Sequence, residues 1–231
     1  MRLPLNSAVN NLQLSGIRQF TNLAKQTEGC ILLTLGEPEF DTPQHICEAA
    51  IQSLQAGDTH YPPNNGQEYL LQALSAYEKK NSLFYEPEEI IVTCGATEAL
   101  FMAFMGILEQ GDEVIIPTPA FGLYESIITL CRGVYRSLDT RQSQFQIDSE
   151  QLRGMVTPKT KAIVLTSPNN PTGCVYNKQS FDIVAEISEK TGIYIICDDV
   201  YSQLVYDDQF TRFASSYPHL RENIIVVNSF S

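Results

Sequence analysis

The sequence predicts an α/β protein built as a three-layer, mostly parallel sheet. Two features carry that expectation. From Thr42 onward, stretches with helical spacing alternate with short apolar runs. The runs, such as Ala162-Ile163-Val164-Leu165-Thr166 and Ile224-Ile225-Val226-Val227, are continuously aliphatic rather than alternating with polar residues. That is the pattern of strands covered on both faces, and regular alternation with helices places those covers on either side of a parallel sheet.

Each element has its own local signal. Residues 1–14 mix polar and apolar side chains around Pro4 and several Asn, and read as an arm. Ser15 to Gln26 has helical spacing, with Ile17, Phe20, Leu23 and Ala24 on one face. Ile31 to Leu35 reads as a short strand ending at the turn Gly36-Glu37-Pro38. Thr42-Pro43 is a helix start, with Thr as cap and Pro at the first position, and that helix ends near Gly57. A second helix is expected from about Gly66 to Lys80. Strands are then expected at Ile90–Thr93, Val114–Ile116, Val134–Leu138, Ala162–Thr166, Tyr194–Cys197 and Ile224–Val227. The interleaved helices are Thr97–Glu109, Leu123–Cys131 and Lys178–Thr191. The chain has no internal repeat and no low-complexity segment.

Composition narrows the class. A hydrophobic fraction of 43% in 231 residues supports a sizeable core. The net charge of −12, with Lys and Arg scattered, argues against nucleic acid and anionic membrane as partners. Cys30, Cys47, Cys94, Cys131, Cys174 and Cys197 form no C-x-x-C pair, so neither a zinc site nor a disulfide framework is expected. His45, His60 and His219 lack metal-ligand spacing, and no metal is assigned. With no signal-like N-terminus and no apolar run of membrane-spanning length, the expected location is cytoplasmic.

The segments with chemical potential all follow the carboxyl ends of expected strands, the edge at which open parallel sheets bind ligands. Gly95-Ala96-Thr97 opens a helix; its free N–H groups, the helix dipole and the Thr97 hydroxyl suit a phosphate, although an ordinary strand-to-helix turn would look the same. Ser167-Pro168-Asn169-Asn170-Pro171-Thr172-Gly173 is a rigid turn offering amide donors. Asp198-Asp199-Val200-Tyr201 places carboxylates directly after an apolar strand, where they need a cationic partner. No Lys or Arg is adjacent, and a protonated ring nitrogen would serve; helix capping is the plain alternative. Phe121 suits stacking on an aromatic ligand or simple core packing. Tyr61, between Thr59-His60 and Pro62-Pro63, reads either as a reach toward a ligand or neighbouring subunit or as loop packing.

Leu35-Gly36-Glu37-Pro38-Glu39-Phe40-Asp41-Thr42-Pro43, Ser167 to Gly173 and Asn228-Ser229-Phe230-Ser231 together resemble the class I/II, fold type I aminotransferases, of the aspartate aminotransferase kind. The resemblance runs from about Gly16 to Ser231. It implies that residues 42–231 form the pyridoxal-phosphate-binding large domain, incomplete at its C-terminus. Residues 1–41 would be an N-terminal arm and the first part of a small domain, likewise incomplete. It implies pyridoxal 5'-phosphate as cofactor, and a role for each matching position. Gly36 would offer its N–H to the substrate carboxylate, with Asn170 also on the substrate side. Tyr61 would cross a dimer interface to the partner's cofactor phosphate. Ala96, Thr97 and Ser229 would hold the phosphate, and Phe121 would stack on the ring, where the family often has Trp or Tyr. Asn170 and Tyr201 would bond the ring's phenolic oxygen. Asp198 would pair with the ring nitrogen, which makes Asp198 and Tyr201 the catalytic candidates.

The resemblance also implies a Schiff-base lysine directly after Ser231, with a phosphate-binding Arg and a carboxylate-clamping Arg farther on. The last lysine of the chain is Lys190, inside an expected helix. The chain as it stands is therefore expected to be inactive alone. Its ending is read as that of a piece of a longer enzyme, or of a chain interrupted at a cofactor-modified lysine, rather than as a natural terminus. The implied function is transamination between an L-amino acid and a 2-oxo acid by a homodimer with shared active sites. The alternatives are a carbon–sulfur β-lyase on the same fold and a non-catalytic dimerising or regulatory module. The donor amino acid stays open.

Overall fold

Five parallel strands form one sheet in the order β2-β1-β3-β4-β5 in a computed structural model that describes residues 3–4, 6–10, 17–33, 36, 40–206 and 210–230. The strands are β1 (Glu113–Thr118), β2 (Val134–Asp139), β3 (Thr160–Thr166), β4 (Tyr194–Asp198) and β5 (Ile224–Val227). The helices are α1 (Ser7–Asn10), α2 (Ile17–Lys25), α3 (Gln44–Gln55), α4 (Glu68–Lys80), α5 (Ala96–Ile107), α6 (Leu123–Leu130), α7 (Ser149–Met155), α8 (Lys178–Thr191) and α9 (Phe213–Ser216). The sheet is α/β and layered, as expected, and among the described residues it is wholly parallel.

Side chains divide between the two faces with the period of the pleat. Ile163, Leu165, Ile195 and Cys197 join the core beneath α7, α8 and α9. Ala162, Val164 and Ile196 join the opposite core, with Leu100 and Phe104 of α5 and Tyr124 and Ile128 of α6. Neighbouring residues of one strand therefore feed different cores, which is why the runs are continuously apolar. α8 begins at Asn177, whose Oδ1 accepts from Ser180 N at 2.8 Å, and ends at Gly192, whose φ of 75° is left-handed backbone that glycine adopts freely.

The strand order reverses between β1 and β3. The chain leaves β1 toward β2 on one side and returns to β3 on the other. Such a switch point leaves a crevice at the carboxyl ends, between loops that diverge to opposite faces.

Several expectations need correction. Ile90–Thr93 is not a strand. No described strand lies beside it, its Val92 N–H bonds to Asn65 O at 2.9 Å, and Ile91 is exposed; β-propensity without a lateral partner builds no ladder. Residues 31–33 of the expected strand Ile31–Leu35 are likewise irregular, with Ile31 and Leu33 exposed. Pro43 stands just before α3 rather than at its first position, and no side chain caps that helix. α7 was not expected from the sequence, although Asp148 Oδ1 caps it by accepting from Gln151 N at 2.8 Å. Within the expected arm, residues 7–10 form the short α1. Other boundaries shift by at most two residues, the ordinary uncertainty at element ends. Gly16, Leu35, Glu37, Pro38, Glu39 and Ser231 lie outside the described residues.

Candidate active site

A cleft of about 210 Å³ opens at the carboxyl edge of the sheet, over the switch point. Each wall comes from a different loop. One is the N-terminus of α5. Gly95 precedes it with φ at 80°, a conformation that glycine alone adopts cheaply, and Ala96 and Thr97 form its first turn. N–H groups of a first helical turn have no acceptor within the helix, so this wall favours an anion. The carboxylate of Glu98 accepts from the Cys94 N–H and does not line the cleft.

The loop after β1 brings Phe121, and the first turn of α6 brings Tyr124. Their rings meet edge to face, with centroids 5.7 Å apart and planes at 86°. Tyr124 is almost fully buried. Its hydroxyl lies 2.6 Å from Thr166 Oγ1 and donates to Asp198 Oδ2.

The loop after β3 separates its two asparagines. Asn169 is buried and serves the turn itself, its Oδ1 accepting from Thr172 N at 3.2 Å and Thr172 Oγ1 at 2.9 Å. Asn170 faces the cleft and donates from Nδ2 to the Tyr201 hydroxyl at 2.7 Å.

The end of β4 separates its two aspartates in the same way. Asp198 lines the cleft and is 5% exposed; its Oδ1 accepts no hydrogen bond of ordinary geometry from the described residues. Burial raises its pKa above the usual carboxylate range, while the Tyr124 bond and the Val200 N–H pull it back. Asp199 points elsewhere, with Oδ2 3.7 Å from Arg212 Nε. Its pKa is pushed up to about 7, chiefly by burial, against the opposing pull of the Arg212 guanidinium. Tyr124 is held well above the usual phenol range, first by burial and then by the negative charge of Asp198.

Ala96, Thr97, Phe121, Asn170, Asp198, Tyr201 and Ser229, scattered over 134 positions of sequence, thus line one cleft. Tyr61 and Gly36 do not. Both are exposed, Tyr61 completely. Tyr124 and Thr166 were missed in the sequence. Tyr124 sits three residues beyond Phe121 at a helix start and Thr166 at the end of an apolar run, which was the one signal the sequence offered; the register of Thr166 with Asp198 came only with the sheet. Among the described residues no cluster suits a metal, and no helix is long and apolar enough to cross a membrane.

Comparison with known proteins agrees with this geometry. The family described as aminotransferase class I and II matches residues 28–231. The chain belongs to that family. It is 41% identical over 228 residues to a probable aspartate aminotransferase of Methanocaldococcus jannaschii, covering 98% of this chain and 59% of the relative. It is 38% identical to a probable N-acetyl-LL-diaminopimelate aminotransferase of Bacillus subtilis, covering 98% of this chain and 58% of that one. The solved structure of the Thermus thermophilus aspartate aminotransferase with maleate superposes with a TM-score of 0.92 at 34% identity, covering all of this chain and 61% of that one. The chain spans about six tenths of the length of these aminotransferases.

Proposed function

We propose that the cleft binds pyridoxal 5'-phosphate and serves transamination between an L-amino acid and a 2-oxo acid in the intact gene product. The observation that carries this reading is Asp198 Oδ1, a buried acceptor with no hydrogen bond of ordinary geometry among the described residues, in a cleft whose other wall is a helix N-terminus. A buried carboxylate is tolerated only with a cation or strong donor against it. A pyridine ring protonated at nitrogen offers that donor, and a phosphate on the same small molecule fits the α5 N-terminus. The residues present therefore fit this cofactor.

Bound there, pyridoxal phosphate supplies an electron sink for a bond broken at the substrate Cα. Asp198 keeps the ring nitrogen protonated by charge pairing. Ala96, Thr97 and Ser229 hold the phosphate, and Phe121 flanks the ring and excludes water. Tyr201, oriented by Asn170, holds the phenolic oxygen. Gly36 and Asn170 are assigned to the substrate carboxylate. Asp198 and Tyr201 are the residues that touch the reacting system.

We assign residues 42–231 to the cofactor-binding large domain and 1–41 to an arm and the first part of a small domain. A homodimer with shared sites is supported by Tyr61, which is fully exposed within one chain, and by α3, which buries none of its residues. The names of the relatives leave the amino donor open between aspartate and other L-amino acids.

The test is direct. The intact gene product, supplied with pyridoxal phosphate, is expected to show a visible absorbance that shifts on adding an L-amino acid, with release of the matching 2-oxo acid. A protein that retains no cofactor, or that retains it and releases no 2-oxo acid from any donor, overturns the reading.

A further inference from the structure

Tyr124 has no part in the assignment just made, yet it makes the only side-chain hydrogen bond to Asp198 among the described residues. The proton count around it has one solution. An ionised carboxylate only accepts, and a phenol has a single proton to give. Tyr124 therefore donates to Asp198 Oδ2, and Thr166 Oγ1, 2.6 Å away, donates to Tyr124. Both ends of this relay are held by the frame. Thr166 ends β3 in register with Asp198, and the buried Tyr124 ring packs edge to face with Phe121.

We propose that Tyr124, backed by Thr166, is a positioning residue for Asp198: it binds Oδ2, fixes the plane of the carboxylate, and leaves Oδ1 as the acceptor presented to the cofactor ring. The inference rests on the functional reading above. Its physical content is twofold. A charge-assisted bond to Oδ2 favours the ionised carboxyl against the burial that opposes it. A carboxylate already oriented loses little freedom when the ring arrives, so less of the binding is lost to ordering. The titratable groups around Asp198 are Tyr124 from α6, Cys197 and Asp199 from β4 and its exit, and Tyr201 from the following turn. Arg212 and Glu78 face Asp199, and Glu98 of α5 is turned to Cys94. Tyr124 is thus the group among these that stabilises the charged form of Asp198 directly.

The experiment is a double-mutant cycle on pyridoxal phosphate binding by the intact gene product, read by equilibrium titration and by the pH dependence of the bound cofactor's absorbance. Tyr124→Phe keeps the ring and its packing and removes the hydroxyl. It is expected to weaken binding by about tenfold to a hundredfold, the scale of a lost hydrogen bond to a charged group. The acid limb of the absorbance profile is expected to move to higher pH, because the carboxyl becomes harder to ionise. In an Asp198→Ala background the same substitution is expected to change binding less than about twofold, since no carboxylate remains to position. Thr166→Val, which removes the donor behind Tyr124, is expected to show the same signs more weakly, and it serves if Tyr124→Phe does not fold. Equal losses in both backgrounds, or an unmoved acid limb, would mean that Tyr124 only fills space and overturn the inference alone. A wild-type protein that binds no pyridoxal phosphate overturns the functional reading and this inference with it.

Discussion

Arg212 and Glu78 lie 134 residues apart, and the guanidinium NH1 donates to the Glu78 Oε2 at 2.6 Å in a largely dry setting, with the two side chains 5% and 14% exposed. Arg212 also donates to Ser202 Oγ at 2.9 Å and stands 3.7 Å from Asp199. One cation thereby ties α4 to the turn after β4, the turn that carries Tyr201. Removing one partner of such a pair costs more than the pair contributes, because the other charges stay buried and alone. Arg212→Met is expected to destabilise the fold by about 3–5 kcal/mol, measured by urea unfolding. A loss below about 1 kcal/mol would place the pair in the class of exposed ion pairs.

Asp199 makes stability depend on pH. Its folded pKa of about 7 lies above the ordinary carboxylate value of 3.8. The folded state therefore holds a proton that the unfolded chain has released, so this contribution is complete below about pH 4 and is lost as pH rises toward 7. Asp199→Asn is expected to flatten the fall in melting temperature between pH 4 and 7, a difference on the order of a few kcal/mol across the range. Parallel curves for the two proteins would show that Arg212 keeps Asp199 ionised throughout.

Asp198→Ala separates function from stability. Cofactor-free protein is expected to stay within about 2 kcal/mol of the wild type, since removing the unpaired Oδ1 offsets losing the Tyr124 bond to Oδ2. Transamination is expected to disappear. Calorimetry of both cofactor-free proteins beside a 2-oxo acid assay checks the two halves, and wild-type turnover in the variant would remove Asp198 from the chemistry.

Tyr61 has no structural task within one chain, being fully exposed. Tyr61→Phe is expected to leave the melting temperature of the cofactor-free protein within about 1 °C, in keeping with the small effect of exposed substitutions. It is expected to speed cofactor loss on dilution. An unchanged rate of loss would assign Tyr61 to loop packing.

Much of the fold was legible because hydrophobic period is local. The bounds of α8 and β5 agree with the sequence to the residue, since each carries a dense apolar pattern, and α8 is also flanked by Asn177 and Gly192. Ile90–Thr93 failed because a strand needs a neighbour, and its four residues do not say whether one is there. α7 failed for the opposite reason. Its seven residues bury only Leu152, too little pattern to register, although the capping Asp148 was in view. In the candidate site, the pairs Asp198-Asp199 and Asn169-Asn170 were legible because each follows an apolar strand on the binding edge, and the family resemblance pointed to Asp198 and Asn170 within them. Tyr124 and Thr166 were passed over because each reads as an ordinary core residue until Asp198 is placed beside it.

The order of residues alone determined where the strands lie and which side chains emerge from their carboxyl ends, for those depend on spacing over a few positions. It did not decide which member of Asp198-Asp199 has a cation, or which member of Asn169-Asn170 faces the cleft. Tertiary structure decided both. Asp199 turns toward Arg212 and Asp198 toward Tyr124 because Asp198 closes β4 and Asp199, just beyond it with its N–H still bonded to Val227 O, presents its side chain to the other side, and what waits on each side is brought there by segments remote in sequence. Asn169 folds back on Thr172, leaving Asn170 free to reach Tyr201.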